Sequence, residues 1–208
     1  MVEMLGVLAI IGVLSVGAIA GYQKAMNKYR LNKATNETVF VMRSLWNDID
    51  KIRYHYTVPN NRENTSTYLN SYLTQMNNIP TGWKVKSPYL YDNLGGYYHI
   101  MLFNASQSNA NTQGQILSKA NREALVFDYY YDHSNPDICV NWMTNIVKPF
   151  ANDISLVWTN SLGDVLFGPD VCDDSSRKCV MNASLSEIKR ICSDCDSKSS
   201  CYVAVRLL

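Results

Sequence analysis

From Met4 to Gln23 the chain carries no charged residue, and the run MLGVLAIIGVLSVGAIAGYQ is aliphatic almost throughout. Twenty such residues, at ~1.5 Å rise each, span a hydrocarbon layer of ~30 Å as one helix. Three plain readings suit such a run: a membrane anchor, a secretory signal, or a buried core helix. Ala18-Ile19-Ala20 has the form of a signal cleavage site, but a signal needs positive charge ahead of its apolar part. The charged side chain ahead of this run is acidic, Glu3. A simple anchor leaves Glu3 unexplained, because a carboxylate beside a membrane span is costly unless something pairs with it.

Beyond Gly21 the apolar run turns amphipathic instead of stopping. Leu31, Ala34, Val41, Leu45, Ile49, Ile52 and Tyr56 recur at three- and four-residue steps, with Thr38 on the same stripe. Lys24, Lys28, Arg30, Lys33, Arg43 and Lys51 occupy other faces. Pro59 and the polar stretch 60–64 end the pattern. The spacing predicts one helix over residues 1–56, roughly 80 Å long, with residues 1–23 as its apolar part and residues 57–208 as a globular head. A helix with one half bare and apolar has no stable monomeric home in water, and stacking against copies of itself buries that half.

Composition narrows the function classes. A net charge of +1 and a charged fraction of 18% give no electrostatic reason to expect nucleic acid as a partner. Six cysteines, five of them in the last 37 residues, point to an oxidising compartment or a metal site. The head is rich in Asn, Ser, Thr and Tyr, as suits an extracellular surface.

The segment Val2-Glu3-Met4-Leu5-Gly6-Val7-Leu8-Ala9-Ile10-Ile11-Gly12-Val13-Leu14 resembles the N-terminus of mature type IV pilins and pseudopilins. Those begin with an N-methylated residue, carry a glutamate four residues later, and continue as an unbroken aliphatic helix. Here the glutamate is third, so the resemblance implies either two residues ahead of Met1 or a start assigned differently. It also implies an α+β fold, with the long N-terminal helix packed by its C-terminal half on an antiparallel β-sheet head and its apolar half protruding. The function it implies is structural, not enzymatic: a subunit that polymerises into a helical homopolymer on the bacterial surface. Such filaments serve adhesion, motility, aggregation or DNA uptake. A prepilin peptidase and an inner-membrane assembly platform are the implied partners, the inner membrane holding the subunit before assembly. The assembly residues it implies are Glu3, Leu5, Val7, Leu8, Ile10, Ile11, Gly12, Leu14, Gly17 and Gly21. Glu3, paired with the α-amino group of a neighbouring subunit, would set axial register, since a misplaced charge stays unpaired. A minor pilin or type II secretion pseudopilin is the near alternative. A membrane-anchored extracytoplasmic binding domain is the alternative of another class.

The larger, type IVb-like pilins join a helix cysteine to one near the C-terminus, and by that resemblance Cys139 pairs with Cys192. The remaining four pair most simply as Cys172–Cys179 and Cys195–Cys201, closing short loops, although six cysteines allow fifteen connectivities. Two rival readings exist. Cys192-Ser-Asp-Cys195 is a CxxC pair without the strand-then-helix setting of a redox site. Cys172, Cys179, Cys192 and Cys195 make an irregularly spaced zinc set.

Within the head, Tyr68, Leu69, Tyr72, Leu73 and Met76 predict a short helix capped by Ser66 or Thr67. Tyr97–Phe103 predicts a strand after Gly95-Gly96, and residues 115–131 are ambiguous between helix and strand. A helix is expected from Pro136 to Ile146, and a hairpin from Ile154–Trp158 and Val165–Phe167. Ser184 and Glu187 form a capping box, and Tyr202–Leu208 closes the sheet as its last strand. His55, His99 and His133 are scattered, and no Ser-His-Asp order, phosphate loop or HExxH occurs. No cofactor or metal is expected. Tyr97-Tyr98 and Tyr129-Tyr130-Tyr131 invite a stacking or sugar-binding role, but aromatic strand residues packed against the long helix are the plainer expectation.

Overall fold

The amphipathic stripe is the seam between helix and head. The computed structural model describes residues 2–56, 66–104, 123–132, 135–159, 165–170, 172, 177–193, 195 and 201–207, with backbone only for 2–10 and 13. Helix α1 (Val2–Asn47) is 46 residues long, about 69 Å at 1.5 Å per residue. Helix α2 (Ile49–His55) follows directly. Only Asp48 interrupts the expected single helix, and the amide of Asp48 still bonds the Ser44 carbonyl (3.2 Å), as that of Ile52 bonds Asp48 (2.9 Å). The Asp48 carboxylate accepts hydrogen bonds from Lys51 Nζ (2.9 Å) and the Tyr72 hydroxyl (3.0 Å). The Lys51 bond holds this carboxyl below its ordinary range, against the opposing effect of burial.

The head is an eight-stranded antiparallel sheet. Its strands are β1 (Ser66–Tyr68), β2 (Lys84–Lys86), β3 (Tyr89–Tyr91), β4 (Tyr97–Asn104), β5 (Glu123–Tyr131), β6 (Ile154–Thr159), β7 (Val165–Phe167) and β8 (Cys201–Leu207). They lie in the order β2-β3-β4-β5-β8-β6-β7, with β1 paired to the far end of β4. Helix α3 (Asn70–Gln75) precedes β2. Helix α4 (Pro136–Trp142) passes into a π-helical turn, Met143–Val147, and α5 (Leu185–Ser193) leads to β8.

Ala34, Thr38, Val41, Leu45, Ile49 and Ile52 of the stripe are buried, as is Met42 beside them. They share one core with Ile100, Leu102, Phe127, Tyr129, Val203 and Val205 of the sheet and Ile138, Ile146 and Ile188 of the later helical segments. Trp83, Tyr98, Tyr129 and Trp142 form an aromatic column within it, with ring centroids 4.8, 4.4 and 6.1 Å apart in turn. The β3–β4 turn is tied to this column by Asp92. Its carboxylate accepts the amides of Leu94 (2.8 Å) and Gly96 (2.9 Å) and the hydroxyl of Tyr129 (2.8 Å). Gly95 sits at φ +90, and a Cβ on Gly96 would meet the Tyr129 hydroxyl at 2.5 Å, so the turn needs both glycines.

Three local expectations are corrected. Ser66 and Thr67 do not cap α3; they belong to β1, which fills the edge of β4 beyond β3, and α3 starts at Asn70 without a side-chain cap. Sheet pairing here overrides the local capping signal. Strand β8 does not close the sheet; it lies between β5 and β6, with every residue buried except the half-buried Tyr202. The tyrosine runs split by strand alternation: Tyr98, Tyr129 and Tyr131 are buried toward the helices, while Tyr97 and Tyr130 stack on the opposite face, 4.7 Å apart. The ambiguous stretch resolves into β5 from Glu123, residues 115–122 lying outside the described residues. The hairpin pairing of β6 with β7 is as expected. Ser184 Oγ accepts the Glu187 amide (3.2 Å), while the Glu187 carboxylate faces Lys178 at 3.0 Å.

Candidate functional site: the exposed length of the N-terminal helix

The head engages α1 only from Leu31 onward. Every described residue from Ile11 to Arg30 is exposed except the half-buried Met26. Ile11, Leu14, Val16 and Ile19 are 54, 66, 70 and 58% exposed, values ordinary for lysines and not for aliphatic side chains. Ser15 returns its hydroxyl to the Ile11 carbonyl (2.7 Å), so it presents no unpaired donor on this surface. Among the described residues no helix is long and apolar enough to cross a membrane.

Glu3, Leu5, Val7, Leu8 and Ile10 lie on the helical backbone of α1, and their side chains are outside the described residues. Ile11, Gly12, Leu14, Gly17 and Gly21 occupy the exposed stretch. A Cβ added at Gly12, Gly17 or Gly21 meets nothing within 4 Å. Each of these glycines weakens a helix by ~1 kcal/mol relative to alanine, and no contact within the described residues gives a reason for that cost.

An aromatic stripe went unread in the sequence. Tyr22, Tyr29 and Phe40 are 66, 61 and 52% exposed. Their spacings of seven and eleven residues, at ~3.6 residues per turn, set them on one face of α1, opposite Ala34, Thr38, Val41 and Leu45. The signal was available as that spacing, but the buried stripe masked it because both rows are apolar. Lys24, Lys28, Arg30 and Lys33 are exposed around them, Lys33 standing 3.9 Å from Glu37.

The cysteines join Cys139 to Cys192, Cys172 to Cys179, and Cys195 to Cys201, with Cα separations of 5.6, 5.3 and 5.7 Å. The first bridge links α4 to α5, and the third joins Cys195, just past α5, to the first residue of β8. Cys192 and Cys195 thus sit in different bridges, and the CxxC and zinc readings have no free thiol to use. Of the histidines, His55 ends α2 in solvent, His99 lies on β4, and His133 is outside the described residues.

The fold defines a class of protein: a long helix, bare over its N-terminal stretch, carried on a disulfide-linked antiparallel sheet. Comparison with known proteins finds no match among family models, curated proteins or solved structures.

Proposed function

We propose that this chain is a structural subunit that polymerises through its N-terminal helix into a type IV pilus-like filament. The observation that carries the reading is the exposed length of α1 ahead of Leu31, where aliphatic side chains and glycines alternate with no partner in the head. Burying one Ile, Leu or Val stabilises by about 1.5–3 kcal/mol, so four such residues on each helix supply a driving force for association beyond what the head provides. Small residues let helices approach closely, which gives the otherwise costly glycines a purpose. In this reading the apolar segment rests in the inner membrane before assembly and forms the filament core afterwards. Glu3 pairs with a neighbour's N-terminus and fixes register. The three disulfides suit a head outside the cell, in an oxidising compartment.

The test is immunogold electron microscopy of whole cells with an antibody raised against residues 60–208. Gold along the full length of thin surface filaments is the expected result. Gold confined to tips or to the envelope makes the chain a minor pilin or pseudopilin. A head that stays monomeric after detergent removal, with no labelled filaments, makes it a singly anchored binding domain.

A further inference from the structure

The face of the sheet turned away from the helices carries a straight row of side chains across five strands. Lys84 faces Tyr91, Tyr91 faces Tyr97, Tyr97 faces Tyr130, and Tyr130 faces Tyr202. Their strand neighbours Leu90, Tyr98, Tyr129 and Val203 are buried toward the core, so alternation places the whole row on the outer face. At ~4.8 Å per strand the row extends about 19 Å. Successive tyrosine rings have centroids 5.6, 4.7 and 5.5 Å apart. Tyr89 and His99 flank the row, 5.2 and 6.0 Å from Tyr97.

Two features give this row a chemistry. First, each tyrosine is half-buried, its ring lying against its neighbours. The hydroxyls of Tyr91, Tyr97 and Tyr130 have no hydrogen-bond partner among the described residues, and none of them is fully buried. Second, one end of the row is basic. Lys84 and Lys86 are exposed, face Tyr91 and Tyr89 respectively, and form no ion pair among the described residues. Lys86 Nζ stands 5.4 Å from the Tyr91 ring centroid. Lysines on an edge strand also discourage edge-on pairing, but that role does not account for the three phenols of Tyr91, Tyr97 and Tyr130 beside them, which lack a hydrogen-bond partner among the described residues.

We propose that this row binds an acidic polysaccharide, its hydroxyls bonded along Tyr91, Tyr97 and Tyr130 and its carboxylates held by Lys84 and Lys86. Tyrosine suits such a ligand, since it offers amphipathic contact at a small entropic cost, and charge complementarity at the lysine end selects an anion. Single-stranded nucleic acid is the competing polyanion, but it is gripped by stacking bases on open aromatic faces. Tyr97 and Tyr130 are parallel to within 4° and cover each other. The inference holds for a single head as it does for a filament.

The experiment is titration of the full chain in nonionic detergent with polygalacturonate oligosaccharides, followed by calorimetry, with dextran and poly(dT) as comparison ligands. Polygalacturonate is expected to bind, to weaken as salt rises, and to bind more tightly than dextran or poly(dT). Lys84→Ala with Lys86→Ala is expected to lose about tenfold or more in affinity. Tyr97→Phe with Tyr130→Phe, which keeps both rings and removes both hydroxyls, is expected to lose several-fold. Near-ultraviolet circular dichroism is expected to match the parent for both variants. Absence of polygalacturonate binding overturns the proposal, as does binding that neither variant weakens. Tighter binding of poly(dT) with the same dependence on these residues overturns it in favour of nucleic acid.

Discussion

The hydroxyls of Thr38 and Tyr98 lie 2.8 Å apart, a buried hydrogen bond that ties the long helix to strand β4 of the head. Thr38 also returns a bond to the Ala34 carbonyl (2.9 Å), and burial raises the Tyr98 phenol well above its ordinary range. A buried donor left without a partner costs about 1–3 kcal/mol. Thr38→Val is expected to destabilise by that amount in urea unfolding. Tyr98→Phe added to it is expected to cost less than the two single changes summed, since the pair is then removed together. Full additivity would mean that the bond does not couple helix to sheet.

The disulfides differ in reach. Cys139 and Cys192 are 53 residues apart, against 7 for Cys172–Cys179 and 6 for Cys195–Cys201. In the chain-entropy account the long closure is worth about 4 kcal/mol and each short one about 2 kcal/mol. Cys139 and Cys192 are also fully buried between α4 and α5. Replacing this pair by serine is therefore expected to lower the unfolding midpoint most, and replacing Cys172 and Cys179 to lower it less. Equal losses on denaturant titration would show that loop length does not govern these bridges.

The parts of the fold that were legible are those written at short range. Leu31 to Ile52 announce their helix face by spacing alone, and the Ile154–Phe167 hairpin is marked by two apolar runs around a turn. The cysteine pairs followed from a family resemblance and from short loops. What failed is long-range. Nothing near Ser66 signals that β4 has a free edge for it. Tyr202–Leu207 reads as an ordinary final strand until β6 and β5 flank it. The tyrosine row exists only through the registers of three strand pairs, so Tyr91 and Tyr202 cannot be related by any local pattern. In the candidate assembly surface, the glycines and aliphatics were visible from the first residues onward, whereas the Tyr22–Tyr29–Phe40 stripe needed the exposures to separate it from the buried one.

Asp128 sits on the outer face with Tyr130, facing His99 on β4 and Ala204 on β8, with Arg206 two residues further along β8. Burial pushes its carboxyl up to about 7, only partly offset by the Arg206 charge. Its Oδ1, His99 Nε2 and Arg206 Nε have no hydrogen-bond partner among the described residues, and the guanidinium lies over the rings of Phe103 and Trp158. The folded state therefore holds a proton on Asp128 that the unfolded chain has released. Stability from this group is present below about pH 4, and it declines as pH rises to about 7. His99, whose pKa burial lowers, acts in the opposite sense, so the difference between the parent and Asp128→Asn isolates the carboxyl. The variant is expected to match the parent near pH 4 and to be more stable by a few kcal/mol, in order of magnitude, at pH 8. A constant difference across that range in urea midpoints would mean that Asp128 is already ionised in the fold.

The glycines of α1 separate helix stability from assembly. Gly17→Ala adds a methyl group that meets nothing within 4 Å, and by propensity it strengthens the helix by about 1 kcal/mol. For an isolated subunit the change is thus expected to leave head stability alone and to raise helix content slightly, as read by far-ultraviolet circular dichroism in detergent. If neighbouring helices approach at Gly17, the same methyl group stands between them, and filament yield after detergent removal is expected to fall. Gly17→Leu is expected to abolish assembly. Glu3→Ala tests register by another route: if Glu3 pairs with a neighbour's N-terminus, filaments are expected to become scarce or to lose a constant axial spacing, because a charge that penalises misaligned neighbours is removed. Normal filaments from Gly17→Leu would remove the close-approach argument, and normal spacing from Glu3→Ala the register argument. Both together would leave the bare helix serving as an anchor for a single head.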